Sequence, residues 1–278
     1  MNVKAPAPGE RRFYAEGVWP ARWVKGGTVK VLSFFACEEI LIKRYGGGDP
    51  GGPGAAGAAA GAGGGGHAAF WGDLKAIGAM AGERYLVGER AARAISDREG
   101  AEGAFMACEY PAFTMGDIQM GDDGMVMVLD GLETPGNVGA CVRSAAAAGC
   151  AGVVIVNRKA GFLHSRSIRS SLGAGFIIPV VEADMGSFAA FAARVGLTAF
   201  VNDLRGDRSV FGADYGGKVA LVTGNEHAGV SPLWEGLGGG VKVVRVRLPM
   251  ADGVDSLNAG FAAALTAYEA ARFKGLLR

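Results

Sequence analysis

Residues 248–265 read LPMADGVDSLNAGFAAAL, and the rest of the chain is organised around this stretch. The apolar segment 241–248 predicts a strand that enters it, and residues 256–274 predict a helix that leaves it. Pro249 ends the strand because it has no N–H to donate, and Ser256 is a candidate N-cap for the helix. This arrangement predicts either a ligand site at the carboxyl edge of a sheet or an ordinary turn.

From residue 124 onward, continuous apolar segments such as 125–129 and 219–223 alternate with helical patterns such as 185–195. Strands without polar alternation are buried on both faces, so the pattern predicts an α/β fold: a parallel sheet with helices on both faces. Further strands are predicted at residues 153–156, 176–181 and 197–201. Further helices are predicted from residue 137, at 167–172 and, as a short element, at 231–237.

Two domains are predicted, at residues 1–111 and 124–278, with a linker at 112–123. Residues 46–66 are almost only Gly, Ala and Pro, which predicts a flexible insertion into the first domain. In that domain a helix is expected at residues 70–80, a strand-to-helix passage at 84–93 and a strand at 103–110.

The composition is that of a folded protein with an ample core, since half of its 278 residues are apolar. Its four cysteines have no CxxC pairing, so we expect reduced, buried thiols and no metal framework. No apolar run reaches the length of a membrane span, and residues 1–12 do not resemble a signal peptide. These features predict a soluble cytoplasmic protein.

The net charge of +1 does not by itself indicate a nucleic-acid partner. Locally, residues 1–45 hold eight Lys and Arg against four Glu, and residues 157–170 hold four basic residues and no acid. Such segments are usually solvated surface. Because there are two such segments and the second lies beside a candidate ligand motif, we predict a groove that binds phosphates, with Arg166 and Arg169 among its contacts.

Three further stretches decide the interpretation: 129–145 (LDGLETPGNVGACVRSA), 169–174 (RSSLGA) and 221–231 (LVTGNEHAGVS). In order and spacing, and together with 248–265, they resemble the motifs of the SpoU (TrmH-like) RNA 2′-O-ribose methyltransferases of the SPOUT superfamily. The resemblance covers residues 124–275. It implies a trefoil-knotted sheet, S-adenosylmethionine as cofactor, and a homodimer through the knot region in which each site receives residues from both chains.

The start of the chain carries a second resemblance. Residues 12–17, RFYAEG, are similar to the opening of the small ribosomal-protein-L30e-like substrate domain that precedes many SpoU catalytic domains. This implies a small α/β domain that binds the RNA substrate.

In the first motif, Asn137 is expected to cap a helix, and Gly139 and Arg143 are expected to share one face of it. Gly139 would allow a backbone or a ribose phosphate to approach closely. By resemblance Asn137 is the motif asparagine and Arg143 the catalytic arginine, although a surface arginine is the alternative. Since an arginine has a pKa above about 12, we expect Arg143 to clamp a phosphate and stabilise an alkoxide, and the proton acceptor stays open.

In the second motif, Gly224 at the end of a strand would allow a ligand to approach the backbone. By resemblance Glu226 is the family's glutamate and organises the site, with a helix-capping role as the alternative. His227 is interpreted as solvated, because the family holds no histidine there.

In the third motif, the resemblance assigns Leu248, Met250 and Leu257 to the adenosyl group. It assigns Ser256 and Asn258 to a polar pair near the reacting ribose, and Ser256 is also the candidate N-cap.

Other functions are possible. A dinucleotide-binding enzyme is disfavoured because no GxGxxG follows a strand with an acidic residue about twenty positions later. A non-catalytic RNA-binding protein with the knotted fold is the main alternative, and a methyltransferase acting on proteins or small molecules is another. The catalytic residues and the basic segments favour an RNA 2′-O-methyltransferase. It would act on rRNA or tRNA, and rRNA is the favoured substrate.

Overall fold

A computed structural model describes residues 11–46, 65–237 and 240–277 of the chain. Residues 47–64, most of the predicted glycine-rich insertion, lie outside these described residues. The chain divides into two compact units, one comprising Met1–Ala112 with Leu163–Ser165 and the other Phe113–Phe162 with Arg166–Arg278.

The first unit is a small α/β unit with a four-stranded sheet. Its elements are β1 (Arg12–Glu16), α1 (Ala21–Lys25), β2 (Lys30–Ala36), α2 (Glu38–Tyr45), α3 (Gly65–Met80), β3 (Glu83–Leu86), α4 (Glu89–Ile95) and β4 (Ala104–Glu109). The strand order is β1-β4-β2-β3, in which β4 is antiparallel to both neighbours and β3 is parallel to β2. Strand β3 is therefore an edge, and α3 packs beside it on β2.

The second unit is built on seven parallel strands. Its elements are β5 (Met125–Asp130), α5 (Pro135–Ala147), β6 (Gly152–Val156), α6 (Ser165–Ser171), β7 (Val180–Glu182), α7 (Met185–Val195), β8 (Thr198–Asn202), β9 (Arg208–Ser209), β10 (Val219–Thr223), β11 (Lys242–Arg247) and α8 (Ala259–Phe273). The strand order is β7-β6-β5-β10-β8-β11-β9. Because every pair is parallel, the carboxyl ends of the central strands meet at one edge.

Every residue of β5, β6 and β10 is buried, which confirms the predicted parallel sheet with helices on both faces. On one face, Phe188 and Phe191 of α7 pack with Trp234 against alternate strand residues such as Val128 and Val222. Helices α5 and α8 contact each other. In addition, α5 contacts β5 and α8 contacts β10. Among the described residues, no helix combines the length and the apolar character needed to span a bilayer.

Two local predictions were wrong, and one short strand was missed. The strand predicted at 176–181 is only Val180–Glu182, because the preceding residues form a 3-10 turn in which the N–H of Phe176 donates to Gly173 O. The last helix begins at Ala259, three residues later than predicted. The short strand β9 was not predicted, since two residues carry no periodicity. The knot implied by the resemblance stays a prediction.

Candidate active site

A cavity of about 510 Å³ opens at the carboxyl edge of the second sheet. The residues that follow β8, β10 and β11 line it, as expected for a ligand site of an open parallel sheet. All four residues predicted to hold a cofactor lie in its wall: Gly224, Leu248, Met250 and Leu257. Glu226 and Ser256 line it too, whereas Asn137, Arg143 and Asn258 do not.

The side chain of Glu226 is hydrogen-bonded to the residues at the start of α5. Its carboxylate accepts hydrogen bonds from the N–H groups of Glu133 at 3.1 Å and Thr134 at 3.3 Å, and from Asn137 Nδ2 at 2.8 Å. Burial alone would raise the pKa of Glu226, but these donors outweigh it and hold the pKa below its ordinary value. Glu226 is therefore ionised near neutral pH, which suits an organising anion and not a proton acceptor.

Asn137 joins the three motifs. Its Nδ2 donates to Glu226 at 2.8 Å, and its Oδ1 accepts from Asn258 Nδ2 at 3.1 Å. Asn258 Oδ1 in turn accepts from the N–H of Gly260 at 2.9 Å. Since a carboxylate only accepts, the Glu226 end fixes the orientation of both amides along this line. The hydrogen bonds thus form a directional chain from the second motif through the first to the third. We call this chain of hydrogen bonds from Glu226 through Asn137 to Asn258 the relay.

Two predicted helix caps were wrong. Thr134 is the N-cap of α5, so Asn137 lies inside the first turn and its side chain is free to bind Glu226. Asn258 is the N-cap of α8, while Ser256 is exposed in the loop before it. Spacing alone did not decide between several polar residues near a helix start, because each of them can cap.

Two glycines are required by close backbone packing. A Cβ at Gly224 would lie 2.4 Å from Gly229 C, so the loop that follows β10 cannot close over any larger residue. A Cβ at Gly139 would lie 2.1 Å from Ser167 O, so α6 can pack directly on α5. The close approach predicted at Gly139 is therefore made by a helix backbone of the same chain. At Gly224 the protein's own loop occupies the space that was assigned to a ligand.

The loop after β10 is held by Asn225, which is buried. Its Nδ2 donates to Gly131 O at 2.8 Å, and its Oδ1 accepts from the N–H groups of His227 and Ala228 at 2.9 and 2.8 Å. The backbones of Asn225 and Gly229 also exchange two hydrogen bonds. His227 is exposed, so its ring lies at the surface of a loop with a fixed backbone.

Asp130 supports the same loop and was missed by the sequence analysis. It is 2% exposed at the end of β5 and accepts from Ser231 N at 2.6 Å, Trp234 Nε1 at 2.8 Å and Asn157 Nδ2 at 2.7 Å. A buried carboxylate needs such donors. An aspartate directly after a wholly apolar strand was the signal that could have identified it.

The cavity also contains residues that no motif indicated. Asn202 lines it and donates to Thr223 Oγ1 at 3.2 Å, while its Oδ1 accepts from Thr266 of α8 at 3.0 Å. Asp203 lines it and pairs with Arg245. Burial opposes ionisation of Asp203, but hydrogen bonds with Arg205 and the charge of Arg245 hold its pKa below the ordinary value.

The predicted basic residues lie on α5 and α6. Arg143 is exposed on α5 and makes no hydrogen bond or ion pair within the described part of the chain. Arg166 is exposed on α6, and Arg169 is half-buried there. The structure therefore places Arg143 outside the cavity wall of its own chain.

Comparisons with known proteins agree with this architecture. Residues 124–268 match the model of the SpoU rRNA Methylase family. The chain is 34% identical over 170 residues to a 23S rRNA (uridine(2479)-2′-O)-methyltransferase of Streptomyces viridochromogenes, covering 59% of this chain and 58% of that protein. It is 34% identical over 149 residues to a 23S rRNA (guanosine-2′-O-)-methyltransferase of Xanthomonas campestris pv. campestris, covering 53% and 58%. The matches thus span less than two thirds of these relatives.

Solved structures share the fold over nearly the whole chain. The SpoU methyltransferase AviRb from Streptomyces viridochromogenes, in complex with AdoMet, superposes with a TM-score of 0.75 at 24% identity, covering 96% of this chain and 92% of that one. An AdoMet-bound rRNA methyltransferase from Sinorhizobium meliloti superposes with a TM-score of 0.74 at 23% identity, covering 96% of this chain and 89% of that one.

Proposed function

Because the chain belongs to the SpoU rRNA methylase family, we propose that it transfers a methyl group from S-adenosylmethionine to a ribose 2′-hydroxyl of rRNA. The observation that carries the proposal is the relay from Glu226 through Asn137 to Asn258, at the edge of a cofactor-sized cavity. It joins three segments that lie far apart in the chain.

The cavity fits S-adenosylmethionine. Its volume of about 510 Å³ is in the usual range of ligand pockets, and Leu248, Met250 and Leu257 give it an apolar wall. Glu226 adds negative charge, which suits the sulfonium cation of this cofactor, whereas the charge of Asp203 is offset by Arg205 and Arg245. When bound, the cofactor supplies an electrophilic methyl carbon.

The residues of this chain would supply orientation and electrostatics. Glu226, held anionic, fixes the start of α5 and, through Asn137 and Asn258, the start of α8. Ser256 projects from the exposed loop that borders the cavity and would contact the ribose. Because Glu226 has a lowered pKa, the 2′-hydroxyl proton would leave to another acceptor.

Arg143 would act across a homodimer. It lies outside its own chain's cavity wall, and the family resemblance implies sites built from two chains. Helix α8 exposes an apolar stripe at a spacing of one face: Phe261 is 68%, Leu265 43% and Tyr268 44% exposed. We propose that this stripe is buried in the dimer and that Arg143 of one chain clamps a phosphate at the site of the other.

The RNA would be held by further cations, with Arg166 and Arg169 of α6 contacting the backbone near the site. The first unit would act as the L30e-like substrate-binding domain that the resemblance implies, and residues 124–278 as the methyltransferase domain. An rRNA substrate would place the protein in the cytoplasm.

The test is transfer of labelled methyl from S-adenosylmethionine to purified rRNA and tRNA, followed by nuclease digestion and mass spectrometry of the nucleosides. A 2′-O-methylated nucleoside in rRNA is expected, and Leu257→Arg, which would fill the cavity, should give none. Cofactor binding by calorimetry without methylation of either RNA would contradict the proposal. RNA binding without cofactor binding would favour the non-catalytic alternative.

A further inference from the structure

A second cavity, of about 450 Å³, lies within the first unit between α3 and the edge strand β3. Arg84 and Leu86 are paired in register with Phe34 and Ala36 of β2, so these four residues share one face of the sheet, and all of them line the cavity. Helix α3 closes the other side with Trp71 and Lys75. The cavity is a groove along a sheet edge that pairs with no other strand in the described part of the chain.

The groove has apolar walls that remain exposed. Leu86 is 74% exposed and Tyr85 is 46% exposed, and both line the groove. On the α3 side, Gly78 has no side chain to fill the groove, and a Cβ added there would lie 3.7 Å from the Phe34 ring. Exposed apolar side chains that gather around a cavity are typical of a binding surface.

Two cations border the groove without an acidic partner. Lys75 and Arg84 are exposed and make no ion pair with any residue the structure describes. The nearby carboxylates lie away from these cations. Asp73 pairs with Lys25 at 2.5 Å, and Glu83, which alternates with Arg84 along β3, lies on the other face of the sheet and accepts hydrogen bonds from Ser33 at 3.1 Å and Tyr85 at 3.0 Å. The groove therefore carries a local positive charge that suits an anionic ligand.

Trp71 adds a donor that lacks an acceptor. Its Nε1 is buried and has no hydrogen-bond partner among the described residues. A buried indole N–H normally finds an acceptor, so a ligand that brings one would satisfy it. An aromatic surface, an unsatisfied donor and two cations together match a nucleotide, which offers a flat base, ring acceptors and a phosphate.

We propose that this groove binds an unpaired nucleotide of the RNA substrate, with the base against Trp71 and Phe34 and the phosphate held by Arg84 and Lys75. The inference rests on the proposed function, since it takes RNA to be the substrate. It assigns one groove of the first unit to single-stranded RNA, which contributes to substrate affinity and not to chemistry.

The experiment measures binding of a fluorescent single-stranded oligoribonucleotide to the full chain by anisotropy, without cofactor. Arg84→Glu and Lys75→Glu should each weaken binding about 10-fold or more, and Trp71→Phe should weaken it a few-fold because the ring stays and the N–H is lost. The matched control is Arg90→Glu, an exposed cation of α4 that does not line the groove and should change affinity less than 2-fold.

Several results would overturn the inference. They are no binding by the wild type, equal weakening by Arg90→Glu, or loss of binding when residues 47–64 are replaced by a short Gly-Ser linker. Equal displacement of the RNA by polyglutamate would also overturn it, because it would indicate a general anion site. Methyl transfer by the groove variants at saturating RNA separates the two proposals: retained transfer with weak binding supports both, whereas absent transfer in the wild type removes only the enzymatic one.

Discussion

Asn137 Nδ2 donates a hydrogen bond to Glu226 Oε1 at 2.8 Å, although the two residues are 89 positions apart in the chain. The bond closes the start of α5 against the loop that follows β10. Because Asn258 donates to the same Asn137 amide, the segments that lead into α5 and α8 are both fixed to one carboxylate. The relay makes the site sensitive to changes that leave every helix intact.

Asn258 offers a test of the relay that separates it from helix capping. In Asn258→Asp an acceptor still caps Gly260, but an oxygen now faces Asn137 Oδ1. We expect melting temperature close to wild type and methyl transfer lowered about 10-fold, whereas Asn258→Ala should also lose about 1 kcal/mol with the cap. Calorimetry and single-turnover methylation measure the two effects. Wild-type turnover by Asn258→Asp would show that the relay has no role in the reaction.

Glu226 should make stability depend on pH. Its pKa in the folded protein is lowered, so its contribution is present above the unfolded pKa of about 4.3 and is lost as pH falls through the lower folded value. Glu226→Gln should therefore be destabilised relative to wild type at about pH 7 and much less at about pH 3. Urea unfolding across this range measures the difference. If the difference in unfolding free energy between the two proteins did not depend on pH, the donors would not be stabilising the charge of the Glu226 carboxylate.

Substitutions at Gly224 and Leu257 should both lower cofactor affinity, but for different reasons. In Gly224→Val the side chain meets the Gly229 backbone, so the loop must open, and both melting temperature and cofactor affinity should fall. In Leu257→Arg the changed residue is 40% exposed, so affinity should fall while melting temperature stays within a few degrees. Gly236→Ala is the control, because a Cβ there meets nothing within 4 Å. Unchanged calorimetric affinity in either site variant would refute the cofactor assignment.

Arg143 should act on the RNA side of the reaction. Arg143→Ala is expected to keep cofactor affinity and lose about 10²–10³ in single-turnover rate, as for one lost charge-assisted contact. Arg143→Lys should rescue poorly, since an ammonium does not copy the planar fork of a guanidinium. A surface arginine would instead give rates within a few-fold of wild type for both variants.

The apolar stripe of α8 should control assembly. Phe261→Glu places a charge in the stripe, and we expect a monomer that binds cofactor and loses methyl transfer. Phe211→Glu is the matched control, because Phe211 is 54% exposed but lies outside α8, and it should leave the dimer intact. Light scattering at micromolar concentration measures the mass. A wild-type monomer, or a Phe261→Glu dimer, would contradict the proposed interface.

The sequence by itself determined the class of the second unit. Strands such as β5 and β10 are apolar up to their last residue and buried throughout, as expected only for a sheet covered on both faces. The bounds of α7 and β10 were also predicted, because α7 has a helical period between Asp184 and Gly196 and β10 is an apolar segment that ends before Gly224. The family resemblance grouped Leu248, Met250 and Leu257, and one loop carries all three into the cavity wall.

Only the tertiary structure decided what several of these residues do. Asn137 and Asn258 are 121 positions apart, and Asp130 and Trp234 are 104 apart, so no local spacing indicates that they bind each other. Gly224 is a glycine because a loop of the same chain lies against it, which depends on a backbone path and not on a motif. Periodicity records which face of an element is buried, whereas a hydrogen bond between distant segments exists only after the sheet has brought their ends to one edge.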